Sequence, residues 1–218
     1  MPRGRHDAHH RDARPRTRSE QTALVASRVV TGPRRLSQAI SEGDGISVLA
    51  EVRDGESARA AEAQGAEGIV LRAAAKGVRE ATQLPILLYG AEPAGSEADA
   101  FVVEAWLEGD SLESLLGGAE ALGVECVVKV RDEDDLERAL ERIDPEILLL
   151  SNEAGAGDMP LDRLLDLLPD IPAGKLAIAE LAQASRHDVE ELERAGVDAV
   201  LVTGSDVGSL VGDQPPEV

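Results

Sequence analysis

"GISVLAEVRDGESARAAEAQGAEGIVLR", residues 45–72, sets two apolar runs around a polar, alanine-rich middle. Residues 47–53 and 68–72 have the length and aliphatic content of strands buried on both faces, and the segment between them has the composition of a helix. A strand–helix–strand unit of this kind belongs to a parallel sheet. The first run ends in charge. Side chains alternate along a strand, so Glu51 and Arg53 point the same way. An ion pair is costly inside a packed core, but at the open end of a barrel it forms the wall of an active site.

The unit recurs along the chain. Further strand-like runs occupy residues 85–88, 100–104, 125–131, 146–150, 175–179 and 199–202. Between them lie helical stretches such as "RDEDDLERALERID" (131–144) and "ASRHDVEELERAG" (184–196). In the second, Val189, Leu192 and Ala195 recur at helical intervals. Eight strands alternating with helices predict an α/β fold of the (β/α)8 TIM-barrel type. An open doubly wound sheet is the alternative, but no GxGxxG follows the first strand. The expected organisation is a disordered Arg-rich tail at 1–21, a helical lead-in at 22–43, the barrel at 44–212 and a short tail at 213–218. Within the lead-in, helices are expected near 22–30 and 33–41.

Charge and composition narrow the function. Residues 1–40 carry nine Arg against Asp7, Asp12 and Glu20, yet the whole chain has a net charge of −20. A body this acidic repels nucleic acid and anionic membranes, so neither is expected as a partner. Lys occurs only at 76, 129 and 175, which fits a high-salt setting or a GC-rich genome. Phe101, Trp106 and Tyr89 are the only aromatic residues, too few for a wall against a planar ligand. Cys126 is single, no apolar stretch reaches the roughly 20 residues of a membrane span, and the Arg-rich start lacks the apolar run of a secretory signal. A cytoplasmic protein is expected. His6, His9 and His10 sit on a tail without a scaffold, and no metal or other cofactor is expected.

The motifs carry a family resemblance. "RRLSQAISEGDGISVLAEVR" (34–53) is similar to the lead-in helix and first strand of indole-3-glycerol phosphate synthase, whose strand is written I-A-E-I-K. "LPILLYG" (84–90) stands where that family has P-V-L-R-K-D-F, and "LGVECVVKVRDEDDLERAL" (122–140) resembles L-V-E-V-H and its acidic helix start. "ILLLSNEAG" (147–155) takes the place of I-G-I-N-N-R-D-L, and "AIAELAQ" (177–183) that of V-A-E-S-G-I. "AGVDAVLVTGSDV" (195–207) matches G-V-D-A-x-L-V-G-E-S-L-M. The matches run in order from residue 35 to 211. The resemblance implies a (β/α)8 barrel of tryptophan biosynthesis and a carboxy-lyase that closes a ring on an anthranilate-derived, phosphorylated substrate. It further implies that Glu51 and Glu180 are acid/base carboxylates, with Asn152, or Ser151 by a one-residue shift, at the sixth-strand asparagine.

The sequence departs from that pattern at several positions. The family's first-strand lysine is Arg53, its third-strand lysine (the proposed general acid) falls at Tyr89, and its fifth-strand glutamate is Lys129. Leu181 replaces the serine after the seventh-strand glutamate, and the long first loop with S-P-S-K-G is missing. Shortened connections are also expected after strands two and three. On strand spacing, Glu51, Arg53, Arg72, Glu104, Lys129 and Glu180 all face the barrel mouth. In an enzyme, Lys129 and Arg53 are the electrophilic groups; Lys129 is otherwise a structural partner of Glu104 or Glu51. "TGSDVG" (203–208) supplies a phosphate cradle at Thr203, Gly204 and Ser205, or simply a helix start capped by Ser205, and Tyr89 and Ser151 complete the substrate-binding set. Two functions are expected. One is a synthase-like lyase impaired in the ordinary reaction; the other is a non-catalytic barrel binding a phosphorylated metabolite or a partner protein.

Overall fold

The computed structural model describes residues 34–43, 45–90, 97–107, 111–151, 160–204 and 206–211 of the 218. The tails, the helix expected near 22–30, Asn152 and Ser205 lie outside the described residues. A helix, α1 (Arg35–Glu42), leads into strand β1 (Ser47–Glu51), helix α2 (Gly55–Ala63) and strands β2 (Gly68–Leu71), β3 (Ile86–Tyr89) and β4 (Ala100–Glu104). Then come α3 (Ser111–Leu122), β5 (Glu125–Val130), α4 (Glu133–Arg142), β6 (Ile147–Ser151) and α5 (Pro160–Leu167). A 3-10 turn, β7 (Leu176–Leu181), α6 (Arg186–Ala195), β8 (Ala199–Val202) and the single-turn α7 (Val207–Leu210) finish the described chain.

All eight strands are parallel and close into a barrel in sequence order, with β1 hydrogen-bonded to β8. The (β/α)8 expectation holds, and the open sheet is excluded. The connection from β2 to β3 is not helical: residues 72–85 cross as turns, with Gly77 in the left-handed region at φ 78°. Buried Val78 and Thr82 cover the strands there. The mouth connections are short, with three residues between β1 and α2, two between β5 and α4, and four between β7 and α6.

Alternation along each strand sorts the apolar residues into two layers. Leu49, Val70, Leu87, Val102, Val127, Leu149, Ile178 and Leu201, one from each strand, fill the barrel interior. Neighbours such as Val48, Ile69, Val128, Leu148 and Val200 point outward against Ala58, Leu136, Ala139 and Leu192 of the helices. Two residues beyond the interior layer, the same parity delivers Glu51, Arg72, Tyr89, Glu104, Lys129, Ser151, Glu180 and Thr203 to the C-terminal end.

The other end is plugged. Leu36 and Ile40 of α1 join the interior cluster. The Glu125 carboxylate, at the start of β5, accepts the N–H groups of Leu36 (2.7 Å) and Ser37 (3.0 Å). A side chain remote in sequence thereby does the work of an N-cap. Asp99 accepts from Arg35 at 3.0 Å and from the Ile86 N–H at 2.8 Å, tying the helix to β3.

Candidate active site at the barrel mouth

Six strands contribute to one polar cluster. Glu51 Oε2 accepts from Arg72 Nε at 2.8 Å and from Thr203 Oγ1 at 2.8 Å. Glu180 Oε1 accepts from Arg72 Nη2 at 2.7 Å and from the Tyr89 hydroxyl at 2.8 Å. Arg72 is therefore a bridge between the carboxylates of β1 and β7. Its guanidinium lies 3.9 Å from the centroid of the Tyr89 ring, within cation–π range. Lys129 Nζ stands 3.1 Å from Glu180 Oε2 and 5.4 Å from the same ring. Glu180 Oε2 is buried, and Lys129 is its cationic partner.

The cluster is graded in depth. Side-chain exposure runs from 39% at Arg72 through 17% at Glu51 and 10% at Glu180 to 3% at Lys129. Burial alone would raise the Glu180 carboxyl, but the Arg72 hydrogen bond, the Lys129 charge and the Tyr89 hydroxyl outweigh it and hold Glu180 below its ordinary value. Tyr89 shifts the other way: burial and the Glu180 charge push its hydroxyl well above the usual tyrosine range. Desolvation opposes the charge on Arg72, yet its bonds to Glu180 and Glu51 more than restore it. At neutral pH the cluster thus holds an ionised Glu180 and a protonated Tyr89. The first can take a proton, and the second can donate a hydrogen bond.

The expected residues separate under this geometry. Glu51, Tyr89, Lys129, Glu180 and Thr203 come together. Ser151 is buried and registers with Glu180 on the neighbouring strand. Arg53 does not join them: it is exposed past the end of β1, where its backbone N–H donates to Ser57 Oγ at 3.2 Å beside the cap of α2. The guanidinium paired with Glu51 is Arg72, because the strand ends at Glu51 and the chain turns before Arg53 can continue the alternation. Lys129 meets Glu180 rather than the Glu104 or Glu51 that spacing offered, and Glu104 is exposed. Gly204 takes a left-handed backbone at φ 69°, with nothing within 4 Å of where a Cβ would stand. Asp206 precedes α7 without a side-chain cap bond. Arg72 is the functional residue that sequence reading placed at the mouth without a role. Its parity with Val70 was visible, but its bridging was not, since that depends on β1 and β7 lying within reach of β2. Among the described residues, no three His, Cys, Asp or Glu side chains are arranged to hold a metal ion, and no helix is long and apolar enough to cross a membrane.

Comparison with known proteins points to one family. The profile of the family described as Indole-3-glycerol phosphate synthase matches residues 88–209. An indole-3-glycerol phosphate synthase of Variovorax paradoxus is 31% identical over 137 residues, covering 58% of this chain and 51% of the relative. One from Acidithiobacillus ferrooxidans is 33% identical over 134 residues, covering 57% and 51%. The chain spans about half the length of the curated relatives it matches.

Proposed function

The chain belongs to the indole-3-glycerol phosphate synthase family, the family of tryptophan biosynthesis, and from that premise we propose that it is a divergent member, impaired in the ordinary ring-closing decarboxylation. The observation that carries the reading is the Arg72 bridge between Glu51 and Glu180. Ring closure needs an ammonium group that can release a proton to a carbonyl or hydroxyl oxygen. A guanidinium does not release one near neutrality. The positions where the resemblance expects lysines on β1 and β3 hold Arg53 and Tyr89. Lys129 is the ammonium in the cluster, and it is deep and drawn against Glu180. Losing one aligned electrostatic group costs about 10²–10³-fold in kcat.

Binding is less affected than turnover. Gly204 at the end of β8 leaves backbone open to a phosphate, consistent with a small phosphorylated metabolite as ligand. The Arg72 bridge also favours a second reading, a barrel that holds this metabolite without converting it, because both carboxylates are already neutralised by the protein's own cations.

The test is to incubate the purified chain with the family's phosphorylated, anthranilate-derived substrate and follow indole product and binding in parallel. Saturable binding with product at background is expected. Any trace of turnover is expected to disappear in Lys129→Met. Product formation at the rate of a curated relative assayed alongside overturns the reading.

A further inference from the structure

Accepting the mouth as this chain's ligand site, we propose that Arg72 is its positioning residue: the two arms of one guanidinium fix the β1 and β7 carboxylates against each other and aim Glu180 Oε1 at the Tyr89 hydroxyl. The geometry is specific to a fork. Nε reaches Glu51 and Nη2 reaches Glu180, at 2.8 and 2.7 Å, so two acceptors on different strands are held by one planar group. A lysine presents a single charged point and cannot hold both in these directions. The guanidinium face rests on the Tyr89 ring, which sets its plane. Tyr89 then donates to the same Oε1 that Arg72 holds, leaving Oε2 to Lys129.

The consequence is a division of labour. The groups facing Glu180 are Arg72 from β2, Tyr89 from β3 and Lys129 from β5, with Glu51 of β1 behind Arg72. While Arg72 spans the carboxylates, Glu180 stays ionised and keeps both the Tyr89 hydrogen bond and the Lys129 ion pair. Without it, a carboxylate this buried retains only Lys129 as a cationic partner in the cluster and takes up a proton more readily.

The chain offers an internal indicator, since Tyr89 is its single tyrosine and Trp106 its single tryptophan. In a Trp106→Phe background, the near-ultraviolet band of Tyr89 reports whether its hydroxyl meets a carboxylate or a carboxylic acid, and an acid titration gives the midpoint of Glu180. Glu180→Gln should remove the transition and so assign it. Arg72→Met should raise the midpoint by about 1–3 pH units, the effect of an opposite charge at this range. Arg72→Lys, which keeps the charge and the fold but not the fork, should also lie above the parent. A parental midpoint in Arg72→Met overturns the proposal, and a parental midpoint in Arg72→Lys overturns it by showing that charge alone suffices. No turnover is measured, so a chain that shows the shift and still makes product retires the impaired-synthase reading alone.

Discussion

Tyr89 shows how one side chain organises the chemistry of a barrel mouth. Its ring is a platform for the Arg72 guanidinium and stands near the Lys129 ammonium, and its hydroxyl is committed to Glu180. Burial and that carboxylate keep the hydroxyl protonated far into alkali. The sign of the linkage follows: a folded pKa above the unfolded value contributes stability below the unfolded value, about 10, and that stability is lost as pH rises toward the folded one. Tyrosinate absorbance in the wild type is therefore expected only as the barrel unfolds in base. In Glu180→Gln it should come at lower pH, although still above about 10 because burial persists. Tyrosinate forming near the ordinary tyrosine pKa in a folded wild-type barrel would contradict the geometry. The resemblance located this position from "LPILLYG" but could not supply its partners, which come from β2, β5 and β7.

At the scale of elements, α1 is the instructive case. The pattern in "RRLSQAISE" predicts a helix, and Arg35–Glu42 forms one. Its own cap residue, Arg34, makes no side-chain cap bond; Glu125, 88 and 89 residues away, caps it instead. Leu36 and Ile40 seal the barrel floor. Leu36→Ala is expected to cost about 2–5 kcal/mol in denaturant unfolding, the range for an emptied core site. Glu125→Ala should cost about 1 kcal/mol through the lost cap. Equal, negligible losses in both would mean that the barrel closes without its plug. Strand ends were less readable than strand centres. The run at 47–53 stops at Glu51 because Asp54 opens the capping box of α2, with its side chain accepting the Ser57 N–H at 2.8 Å. That early stop is what removes Arg53 from the mouth.

Across the whole molecule, charge is the main influence on stability outside the core. With a net charge of −20, self-repulsion opposes the compact state. Salt shortens the Debye length from about 30 Å at 0.01 M to about 8 Å at 0.15 M. The melting temperature is expected to rise over that range, and a fall would show that attractive pairs such as Arg142–Glu113 outweigh the repulsion. The same length scales divide what each level of description determines. The sequence by itself determined the fold and part of the membership of the mouth. Eight apolar runs alternating with helices predict a closed parallel barrel, and strand spacing puts Glu51, Arg53, Arg72, Glu104, Lys129 and Glu180 at its mouth, of which Arg53 and Glu104 stay exposed outside the cluster. Only the tertiary structure decided who pairs with whom. Arg72 chose both carboxylates, Lys129 met Glu180, and Arg53 turned to solvent. The physical reason is that alternation is a local property of one strand, readable along the chain. Ion pairing and hydrogen bonding depend on distances of about 3 Å between strands, and those exist only once the barrel has closed.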